Sequence, residues 1–423
     1  MNGDRSKHHV SRIAAVRTRT LVATYRIVTP MFCAGADQQS AELRLPSFKG
    51  ALRFWWRTLM WGKVNDHNEL RRREADLFGS SDAGTGQSKV RLRICSSQLA
   101  APVNPPSVFE NGTLPGAHYL GYGVMEAFGS RKKGTRAGQL TRAMIPSGEF
   151  SVECRLSASA TRDQLDEVRK ALILLGTVGG LGAKSRKGFG SITITELQNP
   201  GPPIDLTTPP QDRLKNLLRP NPEADDWPAW TAWSKHSRLL IATANCKRAV
   251  ELLDRLGREE VFFRSWGHEG MVFGQPAERN FPHDYYLWKR RPVEPKYPYR
   301  LAFGLPHNYG KKPEDLVHPE QHDRRASPLF IHIDQQDAKH PPVAVLAFLP
   351  SQLLPRNEDV MAFGAPVNLA TDDTLWFPIH AFLDRLLNGG TIPQPRVGYD
   401  RFPAENEWWR KKTDIHAEEI KLV

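Results

Sequence analysis

At 423 residues the chain is too long for one ordinary core, and 40% hydrophobic residues with 11 Trp and 19 Phe exclude a largely disordered polymer. Its longest apolar run, Val343 to Leu349, falls far short of the roughly 20 residues that cross a bilayer, so no membrane span is expected. The formal charge of +12 is uneven: residues 1–200 hold 29 basic and 16 acidic side chains (+13), residues 201–423 hold 29 and 30 (−1), and such an asymmetry points to a polyanion, nucleic acid above all, on the first half.

In chain order, the first 20 residues carry five cations and no apolar stretch that could direct secretion, and Cys33, Cys95, Cys154 and Cys246 are scattered without paired spacing. Neither a disulfide framework nor a zinc site is encoded; a cytoplasmic protein without metal or cofactor is expected. Thr20 to Phe32 reads as a strand, Ser47 to Trp61 as a helix and Val90 to Ser96 as a strand with alternating Val90, Leu92 and Ile94. Ala143 to Leu156 reads as extended with a turn at Pro146-Ser147-Gly148, Thr161 to Leu175 as a helix and Ser191 to Leu197 as a strand. The order β-α-β-β-α-β is the ferredoxin-like, RRM-like arrangement.

A Pro-rich linker follows, Asn199-Pro200-Gly201-Pro202-Pro203 with Thr207-Thr208-Pro209-Pro210 behind it, which neither helix nor central strand tolerates. It divides the chain into a basic domain, 1–200, and a second, 211–423. There Leu239 to Ala244 reads as extended, Lys247 to Leu256 as helical, Arg300 to Gly304, Pro328 to Ile333 and Val343 to Leu349 as extended, and Leu375 to Leu387 as helical. The expected architecture is therefore α+β: tandem ferredoxin-like domains, the second degenerate, with long loops at 267–298 and 306–326.

Two segments could carry function. With Ser47 as N-cap, Phe48, Leu52, Trp55 and Leu59 form the buried stripe of the first helix, while Lys49, Arg53 and Arg57 line a different face in one row. Three like charges in a row destabilise a helix unless an anion lies alongside, and a phosphate backbone would serve; the bland reading is a solvated face, with Trp55 and Trp56 in the core. The second segment, Gly179 to Gly190, combines five glycines and the cations Lys184, Arg186 and Lys187 between a helix and a strand. Exposed amides there could cradle phosphate oxygens. A Walker A loop is excluded because Ala183 separates Gly182 from Lys184 and because that loop runs strand to helix. Lys187-Gly188-Phe189-Gly190 opens like the RNA-recognition octapeptide, but Ser191 and Ile194 stand where its later aromatics belong.

The glycine-rich loop closing a ferredoxin-like domain is similar to that of the RAMP superfamily of CRISPR-associated proteins. Gly35-Ala36-Asp37, Glu42-Leu43-Arg44, Pro46-Ser47-Phe48-Lys49-Gly50 and Arg53-Phe54-Trp55-Trp56-Arg57 resemble the signature of the first-subunit family of the Cmr complex, the type III-B effector, and Arg324-Arg325-Ala326-Ser327-Pro328-Leu329 resembles that family's second-domain motif. The resemblance implies an RNA-binding, antiviral-defence subunit near the 3′ end of a guide RNA, holding guide and paired target RNA among the other Cmr subunits, without cleavage activity of its own. Carried onto this sequence, Lys49, Arg53 and Arg57, with Arg44 and Trp56 beside them, would meet RNA on one side of a groove. Lys184, Ser185, Arg186 and Lys187 would meet it on the other, and the basic loop Arg131, Lys132 and Lys133 would add to them.

The alternative is a metal-independent endoribonuclease processing guide RNA, with a His or Tyr as general acid or base. Its candidates are His8, His9, Tyr25 and His118-Tyr119, but no spacing pairs them. His283-Asp284 and His322-Asp323 are two-residue matches to metal-dependent dyads, without further ligands at the right distance.

Overall fold

The computed structural model describes residues 19–390 and 412–422, except 36, 38–39, 65, 82–85, 199–204, 219–226, 268–269, 356, 368 and 370–372. The expected linker Asn199 to Pro203 and the histidines His8 and His9 lie outside the described residues.

In the first half, strands β1 (Thr20–Ile27), β2 (Val90–Leu99), β3 (Gly148–Leu156) and β4 (Ile192–Gln198) form an antiparallel sheet in the order β2-β3-β1-β4. Along β1 every second residue, Leu21, Ala23, Tyr25 and Ile27, faces inward, as strand periodicity requires. Helix α1 (Leu45–Val64) follows β1, and helix α3 (Arg162–Val178) joins β3 to β4, opened by a capping box between Thr161 and Gln164. Between β1 and β2 the chain also forms α2 (His67–Phe78), which the sequence reading did not anticipate; its N-cap Asp66 accepts from the amide of Glu69 at 2.7 Å. That Asp, three residues before Glu69, was the readable start signal.

The second half builds β5 (Arg238–Thr243), α4 (Ala249–Arg264), β6 (Leu329–Asp334), β7 (Val343–Phe348), α5 (Asp373–Leu387) and β8 (His416–Glu419). Its sheet runs β6-β7-β5-β8, all antiparallel, which is the same spatial order as the first sheet when each is counted from its own first strand. Two expectations are corrected. Arg300 to Gly304 is not extended: Tyr299–Phe303 is a 3-10 turn. Ser47 is not an N-cap, because α1 begins at Leu45 and Ser47 lies in its first turn. The segments read as long loops contain a short helix, Pro282–Trp288, and short strands such as Leu316–Pro319.

The two sheets share a layered interior. On one face of the second sheet Leu329, Ile331, Ile333, Ala344, Leu346 and Phe348 pack with α4 and α5. On the other, Phe330, Val345, Ala347 and Leu349 join the core that contains α1, α3 and the inner face of the first sheet. The order is sheet, helices, sheet, helices. A strand buried on both faces should be continuously apolar, which explains the run Val343 to Leu349. Phe330 reaches across to α1, its ring 5.4 Å from Trp55 and 5.6 Å from Phe54.

Candidate nucleic-acid interface

Helix α1, the glycine-rich loop and the start of β6 meet along a cleft between the two halves. Its cavity of about 750 Å³ is lined by Arg53 and Arg57 of α1, Arg71 and Glu74 of α2, Arg186 of the loop, and Trp230, His322, Arg324, Arg325 and Glu358 of the second half. Six arginines face two glutamates there. A smaller groove of about 370 Å³ adjoins it, between Ser47, Ala51, Phe54 and Trp55 of α1 and Gly180 to Gly182, Ser185 and Arg186 of the loop, floored by Phe330. Phe54 and Arg186 line both spaces.

The row expected on α1 splits when the helix is packed. Arg53 and Arg57 converge on one carboxylate oxygen, Glu74 Oε1, at 2.7 and 2.6 Å. Both guanidinium groups stay about one-third exposed, at 38% and 30%, so their other donors are open to the cleft. Lys49 turns away: its Nζ donates to the carbonyl of Phe78 at 3.1 Å and to Ser88 Oγ at 3.0 Å, and burial, then Arg53, hold it below the usual lysine range. The structure therefore corrects the expectation of three cations facing one anion. Trp56 is likewise corrected: it is buried against Phe78, with Nε1 donating to Glu167 at 3.1 Å, so its ring is closed to a base. Arg44 pairs with Glu42 at 3.1 Å and lines neither space.

Six amides of the glycine-rich loop are closed to a phosphate by backbone carbonyls. The amides of Leu181, Ala183 and Gly190 are bonded to Gly190, Phe32 and Pro30 carbonyls at 2.9 Å each, and those of Gly179, Lys187 and Phe189 are also satisfied internally. The glycines serve close packing: Gly182 has φ +85°, and a Cβ there would lie 2.5 Å from the Phe32 carbonyl oxygen. The loop also docks on the second half, where the Ile331 amide donates to the Arg186 carbonyl at 3.0 Å. Lys187 is spent at that junction. It is corrected from an RNA contact to a buried ion pair, its Nζ 2.7 Å from Glu260, which Arg264 also meets at 2.6 Å.

Arg186 is the cation the loop delivers. Its guanidinium lies 5.3 Å from the Phe54 ring and 4.7 Å from the Phe330 ring, and donates to the Ser327 carbonyl at 2.9 Å. Among the described residues it has no carboxylate partner; burial, with Arg325 nearby, pushes its pKa down to about 10. Arg325, held by the Leu353 carbonyl at 2.6 Å and Ser351 Oγ at 2.7 Å, is pushed down by burial to about 10 as well. A desolvated cation without a counter-charge favours an incoming anion. Lys184, in the left-handed region at φ 63°, is lowered by burial and then by Lys187, Arg324 and Arg142, and it lines neither space. Arg131, Lys132 and Lys133 are exposed but line neither space. Sequence reasoning missed Arg71, Arg324 and Arg325 as cleft residues; the Arg324-Arg325 pair was visible only as a motif.

The alternative's candidates are dispersed. Tyr25 is buried, its hydroxyl donating to the Leu172 carbonyl at 3.0 Å, and His118 is buried with its pKa lowered by desolvation. Asp284 is fully buried, taking the Tyr299 amide at 2.7 Å and the Arg300 side chain at 2.9 Å. His322 sits at the cleft, its Nδ1 2.7 Å from Glu358, which also accepts the amides of Gln321 and His322. No group of three or more metal-ligating side chains occurs among the described residues, and no described helix is long and apolar enough to cross a membrane.

Residues 24–193 match the family model of the RAMP superfamily. Over 174 residues the chain is 24% identical to "CRISPR system Cmr subunit Cmr1-2" of Pyrococcus furiosus, covering 40% of this chain and 92% of that protein. Among solved structures, the chain resembles the apo crystal structure of Cmr1 from Pyrococcus furiosus (17% identity, TM-score 0.49, 85% of this chain and 96% of that one). It also resembles a chain of the cryo-EM structure of the type III-B Cmr-beta complex bound to cognate target RNA (11% identity, TM-score 0.45, 79% and 96%).

Proposed function

Starting from residues 24–193 as a RAMP-superfamily domain, we propose that this chain is a non-catalytic RNA-binding subunit of a type III-B CRISPR effector complex. In this reading it consists of tandem ferredoxin-like domains and holds the 3′ region of the guide RNA with its paired target RNA among the other subunits, in antiviral defence. The match to a Cmr subunit over 174 residues supports the assembly assigned. The observation that carries RNA binding is the cleft, where Arg53, Arg57, Arg186, Arg324 and Arg325 gather and where Arg186 lacks a carboxylate among the described residues. Phosphates would neutralise these cations, and Phe54 and Phe330, already beneath Arg186, fix the position of its charge.

The test is retention of labelled single-stranded RNA of two unrelated sequences over a range of salt. Arg53→Ala/Arg57→Ala and, separately, Arg186→Met should each weaken binding about tenfold or more for both sequences and flatten the salt dependence, because single-strand phosphate contacts each contribute a slope of roughly 0.7. Unchanged retention, or loss for one sequence only, would contradict the reading. The endoribonuclease reading has one observation in its favour, the His322–Glu358 pair at the cleft. Metal-independent RNA fragments that disappear in His322→Ala would establish it instead.

A further inference from the structure

A second concentration of aromatic rings and cations lies outside the cleft. Trp266 and Tyr285 are stacked with centroids 5.0 Å apart and planes 3° from parallel, and Trp288 and Tyr286 flank Tyr285 at 5.9 and 6.2 Å. Cations cover these rings: Arg279 lies 5.4 Å from Trp266, Lys289 3.9 Å from Trp288, and Arg291 5.2 Å from Tyr286. Tyr286 is 37% exposed, Lys289 and Arg291 are exposed, and Trp266, Tyr285 and Trp288 are partly so. None of these residues lines the cleft or its adjoining groove.

We propose that this surface, built by Trp266, Tyr285, Tyr286 and Trp288 with Arg279, Lys289 and Arg291, is a stacking platform for single-stranded nucleic acid. A base of any kind stacks on a ring face once the flexible cation over it swings aside, and the displaced cations take the phosphates that the bases bring. Charge selects this occupant. The second half of the chain is nearly neutral overall, yet Arg279 to Arg291 holds four cations and one acid, and that acid, Asp284, is buried and engaged by Arg300. Arg279, Lys289 and Arg291 have no carboxylate partner among the described residues; Arg290 alone meets one, Asp315 at 3.8 Å. The rings are also fixed in advance. Trp288 donates through Nε1 to Asp315 at 3.2 Å, so little side-chain entropy remains to be lost on binding.

The experiment is photocrosslinking of a 5-bromouridine-substituted, single-stranded oligouridine to the full chain, with the crosslinked peptides mapped. The platform predicts crosslinks within residues 279–291. They should persist in the cleft variant Arg53→Ala/Arg57→Ala and fall at least fivefold in Tyr286→Ala/Lys289→Glu/Arg291→Glu, whose positions are all exposed and therefore compatible with folding. The inference is overturned by crosslinks confined to cleft peptides, by crosslinks in 279–291 that the triple variant leaves unchanged, or by none in that segment, the result also expected if the surface seats a protein. Because the two sets of variants are scored separately, failure of the platform and failure of the cleft are distinguishable.

Discussion

His332 on β6 is fully buried, and its Nδ1 donates to the carbonyl of Gly179 at 2.6 Å, where the glycine-rich loop begins. Burial holds its pKa down at about 4, against an ordinary value of 6.5. Between those values the unfolded chain takes up a proton that the folded chain refuses, so stability falls as the solution is acidified from pH 6.5 toward 4 and is complete above that window. A displacement of this size corresponds to about 3 kcal/mol. Burial lowers His118 and His307 in the same direction, so the wild-type acid slope is a sum. His332→Gln keeps a donor for Gly179 and removes one titrating group. Thermal midpoints measured at pH 7 and pH 4.5 should therefore lie closer together in the variant, and equal spacing would exclude His332 as a source of the slope.

At the scale of elements, α1 and α2 act as one unit because Glu74 of α2 holds Arg53 and Arg57 of α1 through a single oxygen. Glu74 is 7% exposed, so it sets the geometry of the two guanidinium groups and cancels one of their charges. Glu74→Gln keeps an acceptor oxygen and removes the charge. Single-stranded RNA affinity at low salt should then rise about three- to tenfold, with a steeper salt slope by roughly 0.7 for one added phosphate contact. Unchanged or weaker binding would mean that positioning by Glu74 outweighs its charge.

Over the whole molecule, the glycine-rich loop is the joint between the halves, and Phe330, Val345, Ala347 and Leu349 place the second sheet against the helices of the first. Layers that share a core should unfold together, so calorimetry should give one cooperative transition. Lys187 crosses this joint to Glu260, which is wholly buried. Lys187→Ala leaves that carboxylate with Arg264 alone and should cost about 2–3 kcal/mol, less than an unpaired buried charge because Arg264 remains. A lowered single transition is the expected result; two separate transitions would contradict the shared core.

Periodicity was sufficient to place all four strands and two of the three labelled helices of the first half, because apolar spacing along 20–27, 48–60 and 168–178 is imposed by one local geometry whatever the neighbours. It also marked the glycine-rich loop and the excess of cations before residue 200. Tertiary structure alone decided which of those cations meet. Lys49, Arg53 and Arg57 are equivalent by spacing, yet a carbonyl takes the first and a carboxylate the other two. Lys184, Arg186 and Lys187 are near neighbours in sequence, yet one lies under the second half, and another stands between two phenylalanine rings facing an open cleft. Sequence carries the number of charges; desolvation and pairing depend on what lies opposite, and here that is supplied by segments 17 to 141 residues away in the chain.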